Sequence, residues 1–345
     1  MRAAITFNLI TGKLLKKGNV DTIAELDNMT TINAIRKSLE ERGHSAVAIN
    51  CNENAYEKLY KMRKKIDIVF NIFEGLYGES RESEIPAMLE MMQIPYTGSD
   101  PLSLALCLDK IITKRVLLYH GIPTPKFQVF LTGDEKLDSG MKFPLICKLN
   151  HEGSSKGLSK KSIVENETAL RKQAGFLVRE YRQEVLVEEF IEGTEYSIGI
   201  LGCGKKIKVL PIMERFYIDP RGIALFEPDE AVIPLLRKMH RKYHLEPAGK
   251  GGTRPAQISK ELKTKLENMA VASYNACNCK DWCRMEIRMN RKTKKLYVIE
   301  LNPIAGIDPS YILPRQANLA GMSFADLINT IVDSAVERYG LKNGK

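Results

Sequence analysis

Short apolar runs alternate with segments of helical spacing over the first hundred residues. Residues 2–9 and 66–73 are apolar runs of strand length. Between them, Ile32, Ile35 and Leu39 recur at a spacing that places all three on one face of a helix. Strands that alternate with helices are typical of a mostly parallel, layered α/β domain. Because ligands of such sheets bind beyond the carboxyl ends of the strands, we expect site loops after both apolar runs.

The pattern of a β-hairpin lies in the last third of the chain. Residues 285–289 alternate apolar and charged side chains, residues 296–299 are apolar, and the segment between them is polar. Since strand side chains alternate between faces, Glu300 and Asn302 point the same way, and Glu286 faces Glu300 if the strands pair. Two carboxylates held close repel unless a cation lies between them, and such oxygen ligands suit magnesium. A solvent-exposed charged hairpin is the alternative interpretation.

A second candidate site lies in the middle of the chain. The strand predicted over residues 143–149 carries Lys148, and a buried strand seldom carries an unpaired lysine. The loop that follows contains Glu152, Gly153, Ser154 and Ser155. Glycines and successive backbone N–H groups in such a loop form a concavity that binds anions. The loop is therefore a candidate phosphate site, and a flexible hairpin loop explains the same residues equally well.

Acidic residues near the end of a predicted strand and before the first predicted helix have both a ligand-binding and a purely structural interpretation. The strand predicted over residues 183–191 ends near Glu188 and Glu189. As an edge strand it would present carboxyl and backbone groups to an adenine and its ribose, or simply expose its acids to solvent. Glu25 precedes the first predicted helix, where helix electrostatics alone favours an acid. A carboxylate that holds a substrate ammonium is the functional alternative.

Composition and charge narrow the class of protein. The chain has 345 residues, enough for two or three domains, and a formal net charge of +10. Its lysines are scattered and its aromatic residues sparse, which disfavours a nucleic-acid-binding stripe. No segment is typical of a signal peptide or a membrane span, so we expect a cytoplasmic protein with seven reduced cysteines. Cys277, Cys279 and Cys283 have no fourth partner at zinc-site spacing, and we expect them to pack in a core.

Several motifs occur in order along nearly the whole chain. They are E-G-x-x-G-E from Glu74, I-P-Y-T-G-S from Ile94, L-D-K-x-x-x-K from Leu108, K-x-x-x-E-G-S-S-x-G from Lys148 and E-L-N-P from Glu300. Each motif is weak alone, but together they resemble the D-alanine–D-alanine ligase family of the ATP-grasp superfamily. The resemblance implies an N-terminal parallel α/β domain over residues 1–108, a central lid domain over 109–195 and a C-terminal catalytic domain over 196–345. ATP would bind between the second and third domains.

The resemblance also implies a role for each matching residue. ATP would be bound by Lys110, Lys148, Glu152, Gly153, Ser155, Glu188, Glu189, Phe190, Ile191 and Glu195. Two magnesium ions, which manganese could replace, would be held by Glu286, Glu300 and Asn302. Glu25 would hold the ammonium of the first amino acid with Ser154 nearby, while Arg284 and the backbone of Gly306 would stabilise a tetrahedral intermediate. Amino acids and ATP would be the substrates, in a homodimer that serves peptidoglycan synthesis.

The chain departs from the family pattern at three places. Glu74 stands where the family has a histidine. Tyr311, next to Ser310, stands where the family has a serine that receives the acceptor carboxylate. The family's closing loop has no clear match in residues 219–252. The first hypothesis is therefore a ligase that joins D-alanine or closely similar amino acids. The second is the same chemistry on another amino acid or a specialised metabolite. The third, a non-catalytic nucleotide- or nucleic-acid-binding protein, is disfavoured by the complete set of metal ligands.

Overall fold

The computed structural model of this chain describes residues 1–9, 27–217 and 251–341. Their strands are β1 (Arg2–Phe7), β2 (Ser45–Asn50), β3 (Ile68–Asn71), β4 (Phe127–Phe130), β5 (Leu145–Leu149), β6 (Ile163–Val164), β7 (Val185–Glu189), β8 (Gly193–Leu201), β9 (Lys208–Val209), β10 (Met213–Tyr217), β11 (Gly251–Pro255), β12 (Trp282–Asn290) and β13 (Leu296–Asn302). Their α-helices are α1 (Met29–Glu41), α2 (Ala55–Met62), α3 (Glu84–Met91), α4 (Pro101–Leu108), α5 (Lys110–Tyr119), α6 (Glu167–Tyr181), α7 (Lys260–Ala276), α8 (Ile312–Leu319) and α9 (Phe324–Arg338). Glu25 and nearly all of the predicted closing loop lie outside the described residues.

The first sheet is parallel, in the order β2-β1-β3, as the alternating pattern predicts. One face packs on α1 and on the C-terminal helix α9, where Ile5, Ile35 and Ile331 share one core. The opposite face packs on α2 and α3 through residues such as Leu59 and Leu89. The two ends of the chain therefore contribute to the same hydrophobic core. The bounds of the three expected domains stay a prediction.

The second sheet is antiparallel, in the order β4-β7-β5-β6. Helix α6 covers it through Leu170, Ala174 and Leu177. The prediction of an edge strand over residues 183–191 is wrong, because β7 lies between β4 and β5. Its glutamate at position 188 is tolerated inside the sheet because two lysines pair with it.

The third sheet has the order β11-β10-β8-β12-β13, with β9 added to β8. The predicted hairpin is confirmed: β12 and β13 pair antiparallel, and Glu286 stands opposite Glu300. Residues 208–217 contain two short strands, β9 and β10. Pro211 lies between them, and a proline has no N–H with which to continue a ladder. This sheet carries both predicted acidic metal ligands.

The seven cysteines are free thiols, as expected. Cys277, Cys279 and Cys283 are buried in the core of the third sheet, which confirms the expectation of packing. Cys107, from the end of α4, joins them, with its Sγ 4.0 Å from that of Cys279. The contact ties α4, which precedes Lys110, to the turn that leads into β12.

Helices α8 and α9 close the described part of the chain. The hydroxyl of Ser323 caps α9 by accepting a hydrogen bond from the backbone N–H of Asp326. The buried face of α9, which includes Leu327 and Ala335, packs on the first sheet. Within residues 1–9, 27–217 and 251–341, no single helix is long and apolar enough to cross a membrane. Among the same residues, α8 and α9 taken together have the length and composition of a membrane span, but the pair is bent by 100°.

Candidate active site

Two adjoining pockets lie between the second and third sheets. The first pocket is lined by residues of β5, β7, β12 and β13 and by the loop after β5. The second pocket extends from the hairpin towards the first sheet and the start of α1. The residues common to both pockets are Lys110, Gly153, Ser155, Glu195, Glu286 and Glu300. The two expected sites, a phosphate loop and a metal hairpin, are therefore parts of one continuous cavity.

The structure brings together most of the predicted site residues. All ten residues expected to bind ATP line the first pocket. The second pocket adds Ser154, Arg284, Asn302, Gly306 and Tyr311. Ser310 is not among the lining residues of either pocket, although its hydroxyl donates a 2.6 Å hydrogen bond to Asp308 Oδ1, which lines the second. A place for Ser310 in the acceptor pocket stays a prediction.

The hairpin places the carboxylate of Glu286 beside those of Glu195 and Glu300. Glu286 Oε1 accepts hydrogen bonds from Arg284 Nε at 2.9 Å and from Ser197 Oγ at 3.1 Å. Its other oxygen, Oε2, is buried and has no hydrogen-bond partner among the described residues. Burial, together with the carboxylates of Glu195 and Glu300, raises the pKa of Glu286 to about 7. An orphaned carboxylate oxygen opposite a second carboxylate fits a divalent cation that prefers oxygen ligands.

Glu188, at the other side of the first pocket, has the opposite environment. Lys114 Nζ lies 2.7 Å from its Oε2, and Lys148 Nζ lies 2.5 Å from its Oε1. Burial alone would raise the pKa of Glu188, but the two lysines lower it to about 2. Its carboxylate is thus charged, and each of its oxygens lies within ion-pair distance of a lysine. Lys114 was not among the predicted site residues, although L-D-K-x-x-x-K contains it.

Glu195 is also held by two cations. Arg288 Nε donates to its Oε2 at 2.8 Å, and Arg215 Nε lies 3.4 Å from its Oε1. Neither arginine was predicted. Arg288 was within reach of sequence reasoning, because it follows Glu286 by two residues and so shares its face of β12. Arg215 was not, because its place beside Glu195 depends on the pairing of β10 with β8.

The loop after β5 has the geometry of an anion-binding loop. Ser154 and Ser155 both have positive φ, 47° and 60°, a conformation that non-glycine residues seldom adopt. Lys110 Nζ donates to the carbonyl of Glu152, and Arg81 Nη1 donates to the carbonyl of His151 at 2.7 Å. The loop is therefore held in one shape by two cations from outside it. This arrangement favours the phosphate-loop interpretation over a flexible hairpin loop.

The far end of the second pocket is acidic, and two residues that depart from the family pattern, Glu74 and Tyr311, line this pocket. Glu74 and Glu82 line it, as do Asp27 and Asp308 near the start of α1. Burial raises the pKa of Asp27 well above its usual range. Tyr311 is half exposed and lies over Gly306, where an added Cβ would be only 2.7 Å from its ring. The ring therefore occupies space directly beside a residue expected to act on the substrate.

Comparisons with known proteins agree with this geometry. A family model described as "D-ala D-ala ligase C-terminus" matches residues 116–333. The uncharacterized protein y4sG of Sinorhizobium fredii is 34% identical over 308 residues, which cover 88% of this chain and 86% of that protein. A D-alanine–D-alanine ligase of Janthinobacterium is 34% identical over 288 residues, 81% of each chain. The crystal structure of the D-alanine–D-alanine ligase of Bacillus anthracis superposes with a TM-score of 0.75 at 25% identity over 99% of both chains.

The chain belongs to the D-alanine–D-alanine ligase family of ATP-grasp enzymes. It is therefore a ligase, and the predicted ATP-grasp fold with its N-terminal parallel sheet is confirmed. The substrates and the role of each site residue are a separate question, which family membership alone does not answer.

Proposed function

We propose that this ligase joins two amino acids through an acyl-phosphate intermediate. A carboxylate is a poor acyl donor, so the γ-phosphoryl group of ATP is first transferred to the carboxylate of the first amino acid. The amine of the second amino acid then attacks the acyl carbon, and the phosphate leaves. Positioning and charge neutralisation account for most of the catalysis of such a reaction. The residues that line the two pockets are of the types that this chemistry requires.

The observation that carries the proposal is the unpaired Oε2 of Glu286 opposite Glu300. Glu286, Glu300 and Asn302 would hold two Mg²⁺ ions, which would neutralise charge on the transferring phosphoryl group. Lys110 and Lys148, both lining the first pocket, would bind the phosphates from the other side. A protein that only binds nucleotide has no need for a buried carboxylate oxygen without a hydrogen-bond partner opposite a second carboxylate.

The second pocket would hold the amino acids and the reacting carbonyl. Arg284 lines it next to Gly306, and a guanidinium with a backbone N–H suits the oxyanion of a tetrahedral intermediate. Ser154, at the edge of the loop after β5, would help to close the site over the first amino acid. Exclusion of water by closure protects an acyl phosphate from hydrolysis. The roles of Glu25 as ammonium ligand and of residues 219–252 as closing loop stay predictions, as does the homodimer.

D-alanine is the first amino acid to test as donor, because relatives of this chain are named for it. The acceptor is open to a second candidate, a different amine or amino acid. Tyr311, packed over Gly306, and Glu74 in the second pocket favour that candidate. Tyr311 stands where the family has the serine that receives the acceptor carboxylate, and Glu74 adds a carboxylate to the same pocket where the family has a histidine.

The test is phosphate release from ATP and Mg²⁺ with D- and L-amino acids, singly and in pairs, with mass spectrometry of the products. Release with D-alanyl-D-alanine as product would establish the first candidate, and release only with another pair would establish the second. The variant Tyr311→Ser should shift the preference towards D-alanine as acceptor. Absence of phosphate release with every pair, from protein that binds ATP, would contradict ligase activity on amino acids.

A further inference from the structure

Lys114 is a buried cation beside the first pocket that does not itself reach the pocket. Its side chain is 1% exposed, and Lys114 is absent from the described lining of both pockets. Its Nζ lies 2.7 Å from Glu188 Oε2 and donates a 2.6 Å hydrogen bond to Thr124 Oγ1. Thr124 in turn donates to the carbonyl of Val298 at 2.9 Å. Lys114 is therefore fixed between α5, β7 and β13.

Glu188 divides its two oxygens between two lysines of different exposure. Oε2 faces Lys114, whereas Oε1 faces Lys148 at 2.5 Å. The side chain of Lys148 is 14% exposed and lines the first pocket. One lysine is thus enclosed by protein, and the other can reach a ligand.

This division matters when a nucleotide binds. If Lys148 binds phosphate, it must loosen its ion pair with Glu188. Were Lys148 the sole cation at Glu188, that movement would leave a buried carboxylate uncompensated, which is strongly unfavourable. Lys114 remains in place and keeps Glu188 paired throughout. The enclosed lysine therefore lowers the cost of releasing the exposed one.

We infer that Lys114 is a positioning residue that balances the charge of Glu188 and so makes Lys148 available to the nucleotide phosphates. The inference rests on the proposed function, in which Lys148 binds phosphate. The role inferred for Lys114 differs from that of a purely structural ion pair in one respect. A structural pair would affect the stability of the fold, whereas this arrangement must also affect affinity for phosphate-bearing ligands through Lys148.

The first test is Lys114→Met, which keeps the length of the side chain and removes its charge. We expect the Kd for a non-hydrolysable ATP analogue to rise about tenfold, because Glu188 then retains Lys148 more tightly. The Kd for adenosine, which has no phosphates, should stay within about twofold. The matched control Lys263→Met, on the exposed face of α7, should change neither value. An equal loss of affinity for adenosine and the ATP analogue would contradict the inference.

The second test adds Glu188→Gln to Lys114→Met. This double variant has no unpaired buried charge at the two positions, so it remains informative if the single variant fails to fold. We expect the ratio of the Kd for adenosine to the Kd for the ATP analogue to return to within about threefold of its value in the unmodified protein, since a neutral amide does not retain Lys148. A direct contact of Glu188 with adenine would change both Kd values together and leave this ratio unaffected. A ratio as low as that of Lys148→Met would overturn the inference.

The variant Lys148→Met separates this inference from the proposed function. It should weaken binding of the ATP analogue and leave adenosine binding unchanged. If it weakens neither, Lys148 does not bind phosphate and the assignment of the site is at fault. If Lys148→Met weakens the analogue but Lys114→Met does not, the site is correct and the role of Lys114 is wrong. In the double variant Lys114→Met/Lys148→Met, the loss should equal that of Lys148→Met alone.

Discussion

Glu188 and Glu286 are two buried carboxylates that line the same pocket and differ in how the protein balances them. Glu188 lies between Lys114 and Lys148, and its pKa falls to about 2. Glu286 has one arginine, a serine hydroxyl and two neighbouring carboxylates, and its pKa rises to about 7. Burial raises the pKa of both groups, so the difference comes from the neighbouring charges. The protein places a lysine at each oxygen of Glu188, whereas only one oxygen of Glu286 has an arginine and the other has no hydrogen-bond partner among the described residues.

The difference indicates which part of the site is complete before ligands bind. The side that contains Glu188 is a closed network in which each oxygen has a cation. The hairpin side has an orphaned oxygen at Glu286 and a second carboxylate at Glu300. A site that must bind a nucleotide phosphate and a divalent cation together needs both kinds of environment, one on each side of the phosphates.

The largest effect is expected from removing a carboxylate on the unbalanced side. Glu300→Gln keeps the shape of the side chain but supplies a weaker ligand to a divalent cation. We expect turnover to fall by at least about a thousandfold, which corresponds to about 4 kcal/mol of transition-state stabilisation. Steady-state phosphate release with the accepted amino acids measures it. The matched control Glu261→Gln, exposed on α7, should retain full activity. Full activity of Glu300→Gln would exclude the metal assignment.

Features that depend on neighbouring residues could be predicted from the sequence, whereas features that depend on contacts between distant segments could not. The hairpin was predictable because alternation along two adjacent strands fixes which side chains share a face. The Gly/Ser loop was predictable from local composition, although its two serines with positive φ were not. Lys114, Arg215 and the internal position of β7 were not predictable. Each depends on the pairing of strands and helices that lie far apart in the sequence.

The next effect concerns stability without metal, where the two carboxylates should behave oppositely. Glu188→Gln leaves two lysines in a buried place without their anion, and we expect it to destabilise the fold by about 3 kcal/mol at pH 8. Glu286→Gln removes a buried charge whose pKa is raised to about 7 although Arg284 contacts it, so we expect the substitution to stabilise the fold by about 2 kcal/mol. Urea denaturation at pH 8 in a metal chelator measures both. Destabilisation by both substitutions would mean that Glu286 is balanced by the protein after all.

The contributions of Glu286 and Glu188 to the free energy of unfolding change with pH in opposite directions. The folded pKa of Glu286, about 7, lies above its ordinary value of 4.5, so the unfolded chain loses its proton first. Stability therefore falls as pH rises from 4.5 to 7. The folded pKa of Glu188, about 2, lies below 4.5, so its contribution is present above pH 4.5 and is lost as pH falls towards 2. The difference in free energy of unfolding between Glu286→Gln and the unmodified protein should therefore change between pH 4.5 and pH 7. For Glu188→Gln it should change between pH 2 and pH 4.5.

A smaller effect is expected on metal affinity between pH 5 and pH 8. Glu286 must lose its proton before it can bind a cation, and its pKa is about 7. We expect affinity for Mg²⁺ to be constant above pH 8 and to fall by up to about tenfold per pH unit below pH 7. Isothermal titration calorimetry in two buffers of different ionisation enthalpy measures the affinity and the protons released. Constant affinity from pH 6 to pH 8, with no proton release, would contradict the raised pKa of Glu286.

The smallest effect is expected from Ser197→Ala, which tests how the unbalanced side is held in place. Ser197 Oγ donates a 3.1 Å hydrogen bond to Glu286 Oε1 from the neighbouring strand β8. A hydrogen bond to the charged form of a carboxylate favours ionisation, so its loss should raise the pKa of Glu286 further. We expect Mg²⁺ affinity at pH 7 to fall about fivefold, in line with about 1 kcal/mol for one hydrogen bond. At pH 9, where the carboxyl is ionised in both proteins, the difference should shrink to about twofold. An equal loss at both pH values would show that Ser197 orients Glu286 without affecting its charge.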